Sequence, residues 1–134
     1  MKGIENIENE GVLLAVVVRQ GTQKEELNFI TPNNFPLQVG IHNKQKGAVA
    51  KPHKHKPYKK PIIIESQEIF YIESGKLRVD IYDKKDKFFK STVLNKGDII
   101  ILNSGHSVEY LEKTTMVEIK QGPYRGNQNE KEFI

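Results

Sequence analysis

Apolar residues recur along this chain in short runs whose period is that of β-strands and not of helices. In residues 76–83, Leu77, Val79 and Ile81 alternate with polar side chains, which predicts a strand with one face on a core. A helical turn is predicted only at residues 22–27. Further strands are predicted where apolar residues dominate, at 11–18, 37–41, 61–64, 69–72, 99–102 and 116–119.

Turn residues separate these runs. Glycine, asparagine and aspartate gather in the sequences ESGK (73–76), YDKKDK (82–87), LNKGD (94–98) and NSGH (103–106). Turns at a spacing of roughly 8–12 residues are typical of antiparallel sandwiches and barrels. The pattern therefore predicts one all-β domain over residues 1–134, and it does not distinguish a sandwich from a barrel.

The composition narrows the class of protein. With 134 residues, of which 37% are hydrophobic and 28% charged, the chain has the composition of a single globular domain. It has no cysteine, which excludes disulfides, thiolate catalysis and zinc fingers. The first ten residues lack the basic and apolar regions of a secretory signal, and the apolar run at 12–18 is too short to cross a bilayer. We therefore expect a cytoplasmic protein.

The net charge of +4 comes mostly from lysine, and lysines cluster at 51–60 and at 84–90. Lysine clusters neutralise phosphates in nucleic-acid-binding proteins. The chain has, however, no RNA-binding aromatic motif and no helix-turn-helix pattern. We expect these lysines to lie on solvated loops that protect strand edges, and we expect neither a nucleic acid nor a membrane as a partner.

Histidine and glutamate residues provide the candidate chemistry. His53 and His55 lie two positions apart, so on a strand both side chains would leave the same face. Glu68 shares a face with Phe70 and Ile72 on the next clear strand. If both faces line a barrel interior, burial of these groups without partners costs several kcal/mol. A zinc, iron, manganese or nickel ion offsets that cost, because these ions accept imidazole nitrogen and carboxylate oxygen as ligands.

A fourth ligand is predicted at His106, which follows the turn at 103–106, whereas His42 lies outside any pattern and is expected to be structural. Glu65 is the alternative carboxylate, since a shift of one residue in register turns a side chain to the other face. Lys51 has the same parity as the two neighbouring histidines, so these three residues are the candidates for catalysis. On balance, we expect this lysine to lie at the barrel rim.

Glycine, histidine and glutamate also recur at fixed spacings. Gly47 and five further residues precede the two neighbouring histidines, and Glu68 and six further residues precede Gly75. Later, Gly97 and five further residues precede the sequence NSGH. These motifs resemble those of the cupins over residues 37–120. The resemblance implies an antiparallel jelly-roll barrel, the double-stranded β-helix, with an N-terminal strand at 11–18 and a C-terminal tail at 121–134. It implies these metal ligands: His53, His55, Glu68 and His106.

Three positions depart from the cupin pattern. Twelve residues separate His55 from Glu68, where the first cupin motif has three or four. Asn103 stands where the family has proline, and His106 directly follows Gly105, where the family has two intervening residues. The longer first spacing predicts a loop that bulges over the barrel mouth and leaves the ligands in place.

Cupins include dioxygenases, isomerases, epimerases, sugar-binding sensors and storage proteins, so the resemblance leaves three hypotheses. In the first, the four ligands hold a divalent ion that binds an oxygenated molecule, expected to be a sugar or sugar derivative, and polarises a carbonyl. In the second, paired histidines act as acid and base in a metal-free sugar-nucleotide isomerase or epimerase, and lysines 51–60 attract the diphosphate. In the third, the chain is a non-catalytic, ligand-binding accessory module.

The C-terminal sequence at 117–133 is similar to that of small cupins that accompany bacterial surface-sugar biosynthesis, which implies a role in making polysaccharide. Gly122 and Pro123 end the last predicted strand. Beyond them, Tyr124 and Arg125 are expected either to close a cavity or to pack with the tail across a neighbouring subunit. A homodimer is expected, with segment 11–18 as the strand that pairs or swaps.

Overall fold

The computed structural model describes residues 3–22, 28–59, 63–123 and 125–134. The chain divides into two compact units, Met1–Gln23 with Ser66–Ile134 as the first and Lys24–Glu65 as the second. The described residues are all-β apart from one helical turn, which confirms the predicted fold class at this level. The elements are β1 (Ile4–Asn9), β2 (Val12–Val18), β3 (Asn28–Phe29), β4 (Gly40–Ile41), β5 (Glu68–Ser74), β6 (Lys76–Tyr82), β7 (Phe88–Asn95), β8 (Ile99–Leu102), β9 (His106–Tyr110), β10 (Thr115–Lys120) and α1 (Asn127–Glu130).

Five antiparallel strands form the larger sheet of the first unit, in the order β1-β2-β8-β5-β10. The last five residues of β2 are buried, which explains why its sequence is a continuous aliphatic run without polar alternation. β2 pairs with β1 along one edge and with β8 along the other. Within one chain, therefore, this strand offers no free edge to a second subunit, and the homodimer stays a prediction.

Three antiparallel strands form the smaller sheet, in the order β7-β6-β9. The alternation predicted for β6 is confirmed, because Leu77, Val79 and Ile81 are fully buried and the residues between them are not. The turn that joins β5 to β6 contains Gly75 at a φ of 97°, a left-handed conformation that glycine adopts without strain.

The two sheets pack face to face as a β-sandwich whose core lies between them. Each fully buried leucine or isoleucine stabilises this arrangement by roughly 1.5–3 kcal/mol relative to an exposed one. Along β5 the side chains of Glu68, Phe70 and Ile72 lie on the core face, as the sequence predicted. The buried residues that form the centre of the core include Phe70, Ile72, Ile100 and Leu102 of the larger sheet and Leu77, Val79, Ile81 and Leu94 of the smaller sheet.

The second unit contains one two-stranded antiparallel sheet, formed by β3 and β4. The strand predicted at 37–41 is limited to Gly40–Ile41. The described residues that follow, 42–59 and 63–65, contain no strand, so the prediction that the two neighbouring histidines lie on a strand is wrong. Prolines recur in this stretch, and proline has no amide hydrogen to donate to a sheet. Of the strand predicted at 61–64, residues 61 and 62 lie outside the described residues.

The apolar runs in the sequence did not predict strands β1, β7 and β9. β1 and β9 each carry few apolar residues, since their sequences are IENIEN and HSVEY. All three lie at sheet edges, where only one neighbour pairs with them and polar side chains reach solvent. Of the helical turn predicted at 22–27, only Thr22 is described, so that prediction lies outside the described residues. No helix in the described part of the chain has the length and apolar character needed to cross a bilayer.

Candidate functional site

Glu68 and His106 meet across the sandwich at the end where β5 and β9 begin. Glu68 is the first residue of β5 and lies on the core face of the larger sheet. His106 is the first residue of β9, where it pairs with Ile81 and therefore shares the core face of the smaller sheet. The Nε2 atom of His106 lies 3.3 Å from Oε2 of Glu68. Two of the four predicted metal ligands are thus brought together from opposite sheets.

Both ring nitrogens of His106 face hydrogen-bond acceptors. Nδ1 lies 3.0 Å from the carbonyl oxygen of Ser104, and Nε2 faces the Glu68 carboxylate. Because a carbonyl and a carboxylate only accept hydrogen bonds, satisfying both contacts requires the ring to donate from both nitrogens. The arrangement therefore favours the imidazolium form of His106. If Nε2 gave up its proton, Nδ1 would stay anchored to the backbone and Nε2 would carry a free lone pair.

The pKa values of Glu68 and His106 are both shifted in the direction that favours the charged form of the side chain. The pKa of Glu68 is lowered, mainly by the hydrogen bond from His106, although burial opposes this change. Burial alone would lower the pKa of His106, but the hydrogen bonds to Glu68 and Ser104 outweigh it, and the pKa is raised. The side chains of His106 and Glu68 are 23% and 24% exposed, so the pair is largely shielded yet still reaches solvent.

Charged residues of β10 flank this pair. Lys120 lies directly opposite Glu68 in the sheet register, and its positive charge also lowers the pKa of Glu68. Glu118, two residues earlier on the same face, contributes to raising the pKa of His106. Phe70 packs its ring edge-on against the imidazole, with ring centroids 5.9 Å apart. The site is therefore polar toward β10 and apolar toward the core.

Two buried amide side chains, those of Gln67 and Asn103, lie next to the site. Gln67 is 1% exposed and donates through Nε2 to Oδ1 of Asn103 at 2.9 Å. Asn103 donates through Nδ2 to the carbonyl oxygen of Leu13 at 2.9 Å and through its backbone nitrogen to that of Leu14 at 2.8 Å. A proline at position 103 would lack that backbone N–H and could not make the hydrogen bond to Leu14. Sequence analysis missed Gln67, because nothing in the pattern identifies a buried polar residue whose partner is 36 positions away.

The other predicted site residues lie in the second unit. His53 and His55 are exposed, and their ring centroids are 5.3 Å apart, so the two imidazoles are neighbours although they do not lie on a strand. Nδ1 of His53 lies 2.7 Å from the carbonyl oxygen of Lys51, whose own side chain is exposed. Glu65 and His42 are also exposed. The structure thus groups the candidates as two pairs, one in each unit.

The donor types at the Glu68–His106 pair fit a divalent metal ion. The carboxylate oxygen and the imidazole nitrogen are suitable ligands, and the Ser104 carbonyl gives the imidazole the outer hydrogen bond that metal-binding histidines commonly make. Within residues 3–22, 28–59, 63–123 and 125–134, no three histidine, aspartate or glutamate side chains form a ready-made metal group. The pair therefore supplies half of the predicted ligand set, and Lys120 opposes a cation by its like charge.

The C-terminal tail returns to the same end of the sandwich. Arg125 donates through Nε to Oε1 of Glu130 at 3.2 Å, and Oε2 of Glu130 lies 3.6 Å from Nζ of Lys120. Ile134 packs against Gly105, the residue before His106. The contact is so close that a side chain added at Gly105 would collide with Cδ1 of Ile134. The described part of the tail therefore contacts the last residue of β10 and the residue before β9, both of which lie beside the site. Tyr124, predicted to help close the cavity, lies outside the described residues.

Comparisons with protein-family models, with curated proteins and with solved structures find no match to this chain. The geometry of the Glu68–His106 pair is thus the basis on which function is inferred.

Proposed function

We propose that this protein binds a small oxygenated ligand, a sugar or sugar derivative, at the end of the sandwich that holds Glu68 and His106. The observation that carries the proposal is the 3.3 Å contact between these two side chains, one from each sheet. The Glu68 carboxylate has further lone pairs that accept hydrogen bonds from sugar hydroxyls, and Nε2 of His106 can donate to a ligand carbonyl or ring oxygen that displaces the carboxylate. The apolar core side of the site, where Phe70 packs, strengthens such hydrogen bonds relative to the same contacts in bulk water.

The proposal includes a divalent metal centre formed by His53, His55, Glu68 and His106, and it takes the sandwich to be a cupin jelly roll. The resemblance of the two spaced motifs supports it, as does the donor set of the Glu68–His106 pair. When bound, the ion would supply Lewis-acid polarisation of a ligand carbonyl. The chain's own contribution is to fix the imidazole through Ser104 and to hold the carboxylate on the core face of β5.

Metal analysis of protein purified without a chelator tests this proposal. We expect about one zinc, iron, manganese or nickel ion per chain. The ion should be lost both in the double variant His53→Ala, His55→Ala and in the single variant His106→Gln. His42→Gln is the matched control, because this exposed histidine lies outside the predicted ligand set. Protein that binds none of these four ions, or that retains its ion in the ligand variants, would contradict the proposed metal centre.

A second candidate function is favoured by the hydrogen bonds of His106. Because its two nitrogens face the Ser104 carbonyl and the Glu68 carboxylate, the ring is held as a proton donor whose orientation is fixed. An oriented imidazolium is a general acid for proton transfer next to a carbonyl. In this function the protein is a metal-free sugar-nucleotide isomerase or epimerase in which paired histidines act as acid and base, and Glu68 is the residue that orients an imidazole.

Histidine NMR separates the two functions. In chelator-treated protein, a nucleotide sugar should shift the imidazole signals of His106 and leave those of His42 in place if the metal-free function is correct. Signals that move only after a divalent ion is added support the metal centre. Binding of a sugar without any turnover across a panel of sugar nucleotides would instead assign the chain to a ligand-binding accessory role.

A further inference from the structure

Positive charge is concentrated in one stretch of the chain. Residues 44–64, here called the basic segment, contain seven lysines and no aspartate or glutamate. The remaining 113 residues contain 14 lysines and arginines against 17 aspartates and glutamates, which is a net charge of −3. The net charge of +4 therefore arises entirely from this segment. The lysines at 84–90, in contrast, are interleaved with Asp83 and Asp86.

The described lysines of the basic segment lie at the protein surface. Every described residue of the segment, 44–59 and 63–64, is exposed. None of its six described lysines forms an ion pair with any part of the chain that the structure describes. Pro52 and Pro57 favour an extended backbone at the residues that precede them, Lys51 and Lys56, whereas residues 45–48 form a turn. The described lysines of the segment thus present to solvent a positive charge that no described acidic side chain pairs with.

Exposed apolar side chains accompany this charge. Tyr58 is 97% exposed and Val49 is 86% exposed, while Ile63 is fully exposed. Lysine charge next to apolar and tyrosine side chains matches the interface of an anionic bilayer, where phosphates attract lysine and the acyl boundary accepts the apolar groups. Nucleic acid fits less well, because the segment has no arginine and only one aromatic residue for stacking on bases.

We propose that the basic segment binds reversibly to the surface of an anionic lipid bilayer. This differs from the expectation drawn from the sequence, in which the lysines only protect strand edges and no membrane is a partner. Lysine attraction and insertion of apolar side chains act together, since a polybasic patch and an apolar anchor are each weak alone. Each lysine near an anionic surface contributes a factor of about five in partitioning.

Vesicle co-sedimentation of the full chain tests this proposal. Vesicles of phosphatidylcholine with phosphatidylglycerol should bind the protein at low salt, and vesicles of phosphatidylcholine alone should not. The double variant Lys44→Gln, Lys46→Gln should weaken binding by about 25-fold, since two lysines are removed. The matched control is Lys85→Gln, Lys87→Gln, which makes the same change in net charge at the acid-interleaved turn and should change binding less than twofold. Both variants keep every predicted metal ligand, so the metal analysis is independent of this result.

The apolar contribution is tested separately. At low salt, Ile63→Ser should weaken binding to the anionic vesicles although the net charge is unchanged, and at about 0.5 M salt, where the Debye length is about 4 Å, binding should be lost in the unaltered chain as well. Equal binding to neutral and anionic vesicles, equal losses in the two lysine variants, or no vesicle binding at all would overturn the proposal. Binding to duplex DNA or RNA in the absence of vesicle binding would also overturn it, and would assign the segment to a nucleic acid.

Discussion

Replacing Glu68 with glutamine removes the carboxylate that joins the two sheets at the candidate site. Its Oε2 lies 3.3 Å from Nε2 of His106, and the two side chains are 24% and 23% exposed. Exposed ion pairs stabilise proteins by up to about 1 kcal/mol, whereas hydrogen bonds to charged groups contribute about 1.5–3 kcal/mol. A pair of intermediate burial lies between these limits. We therefore expect Glu68→Gln to lower the free energy of unfolding by about 1–1.5 kcal/mol.

The size of this effect should depend on pH in a defined way. The hydrogen bond from His106 lowers the pKa of Glu68 below 4.5, so the stabilisation by the carboxylate is present above that pH and is lost as the pH falls through the folded pKa. The pKa of His106 is raised above 6.5, because hydrogen bonds and nearby carboxylates outweigh burial. Its stabilisation is present below pH 6.5 and is lost as the pH rises through the folded pKa. The difference between wild type and variant should be largest between pH 4.5 and 6.5.

Urea unfolding followed by circular dichroism, with a chelator present and at pH values on both sides of this window, measures the difference. Glu73→Gln is the matched control, because Glu73 is an exposed residue of the same strand. Together with His106→Gln, the variants complete a double-mutant cycle that isolates the pair. A loss for Glu68→Gln that is the same at every pH, or a coupling energy below about 0.3 kcal/mol, would refute the reasoning.

Three further variants test the framework around the site by urea or thermal unfolding. Gly75→Ala should cost roughly 3 kcal/mol, because the added Cβ collides with the backbone carbonyl of Lys113 at a left-handed φ, whereas Gly11→Ala, with open space around it, should cost only about 1 kcal/mol; equal losses would show that the collision relaxes freely. Asp98→Ala should cost roughly 2–4 kcal/mol, since this buried carboxylate accepts two backbone hydrogen bonds and pairs with an arginine at 3.0 Å, and a loss below about 0.5 kcal/mol would contradict that account. Asn103→Pro should destabilise by about 3 kcal/mol or more through its missing N–H, and a neutral result would mean that this hydrogen bond is dispensable.

Local patterns in the sequence were sufficient for the strands with one buried and one wet face. Leu77, Val79 and Ile81 alternate with polar residues, and a strand is the only regular structure that turns successive side chains to opposite faces. The same rule placed Glu68 on the core face with Phe70, and this placement is confirmed. Edge strands such as β1 escaped detection, because few of their side chains contribute to the core.

The histidine pair at 53 and 55 shows where spacing alone was insufficient. Two residues two positions apart share a face only if the backbone is a strand, and residues 42–59 are not one. The sequence shows the spacing of the two histidines, but it does not show the backbone conformation between Pro52 and Pro57. Metal ligation by these histidines remains a prediction that metal analysis can test.

The sequence by itself determined the all-β class, the turns and the face on which Glu68 lies, because alternation and turn chemistry act over a few neighbouring residues. Only the tertiary structure decided that Glu68 meets His106, since this contact joins two sheets and spans 38 positions of the chain. The buried pairing of Gln67 with Asn103 also spans a long stretch of the chain, although it lies within the larger sheet, next to the paired residues Glu68 and Leu102. Contacts between sheets depend on how the sheets pack and on the register of each strand. The alternation of polar and apolar residues along a single strand determines neither of them.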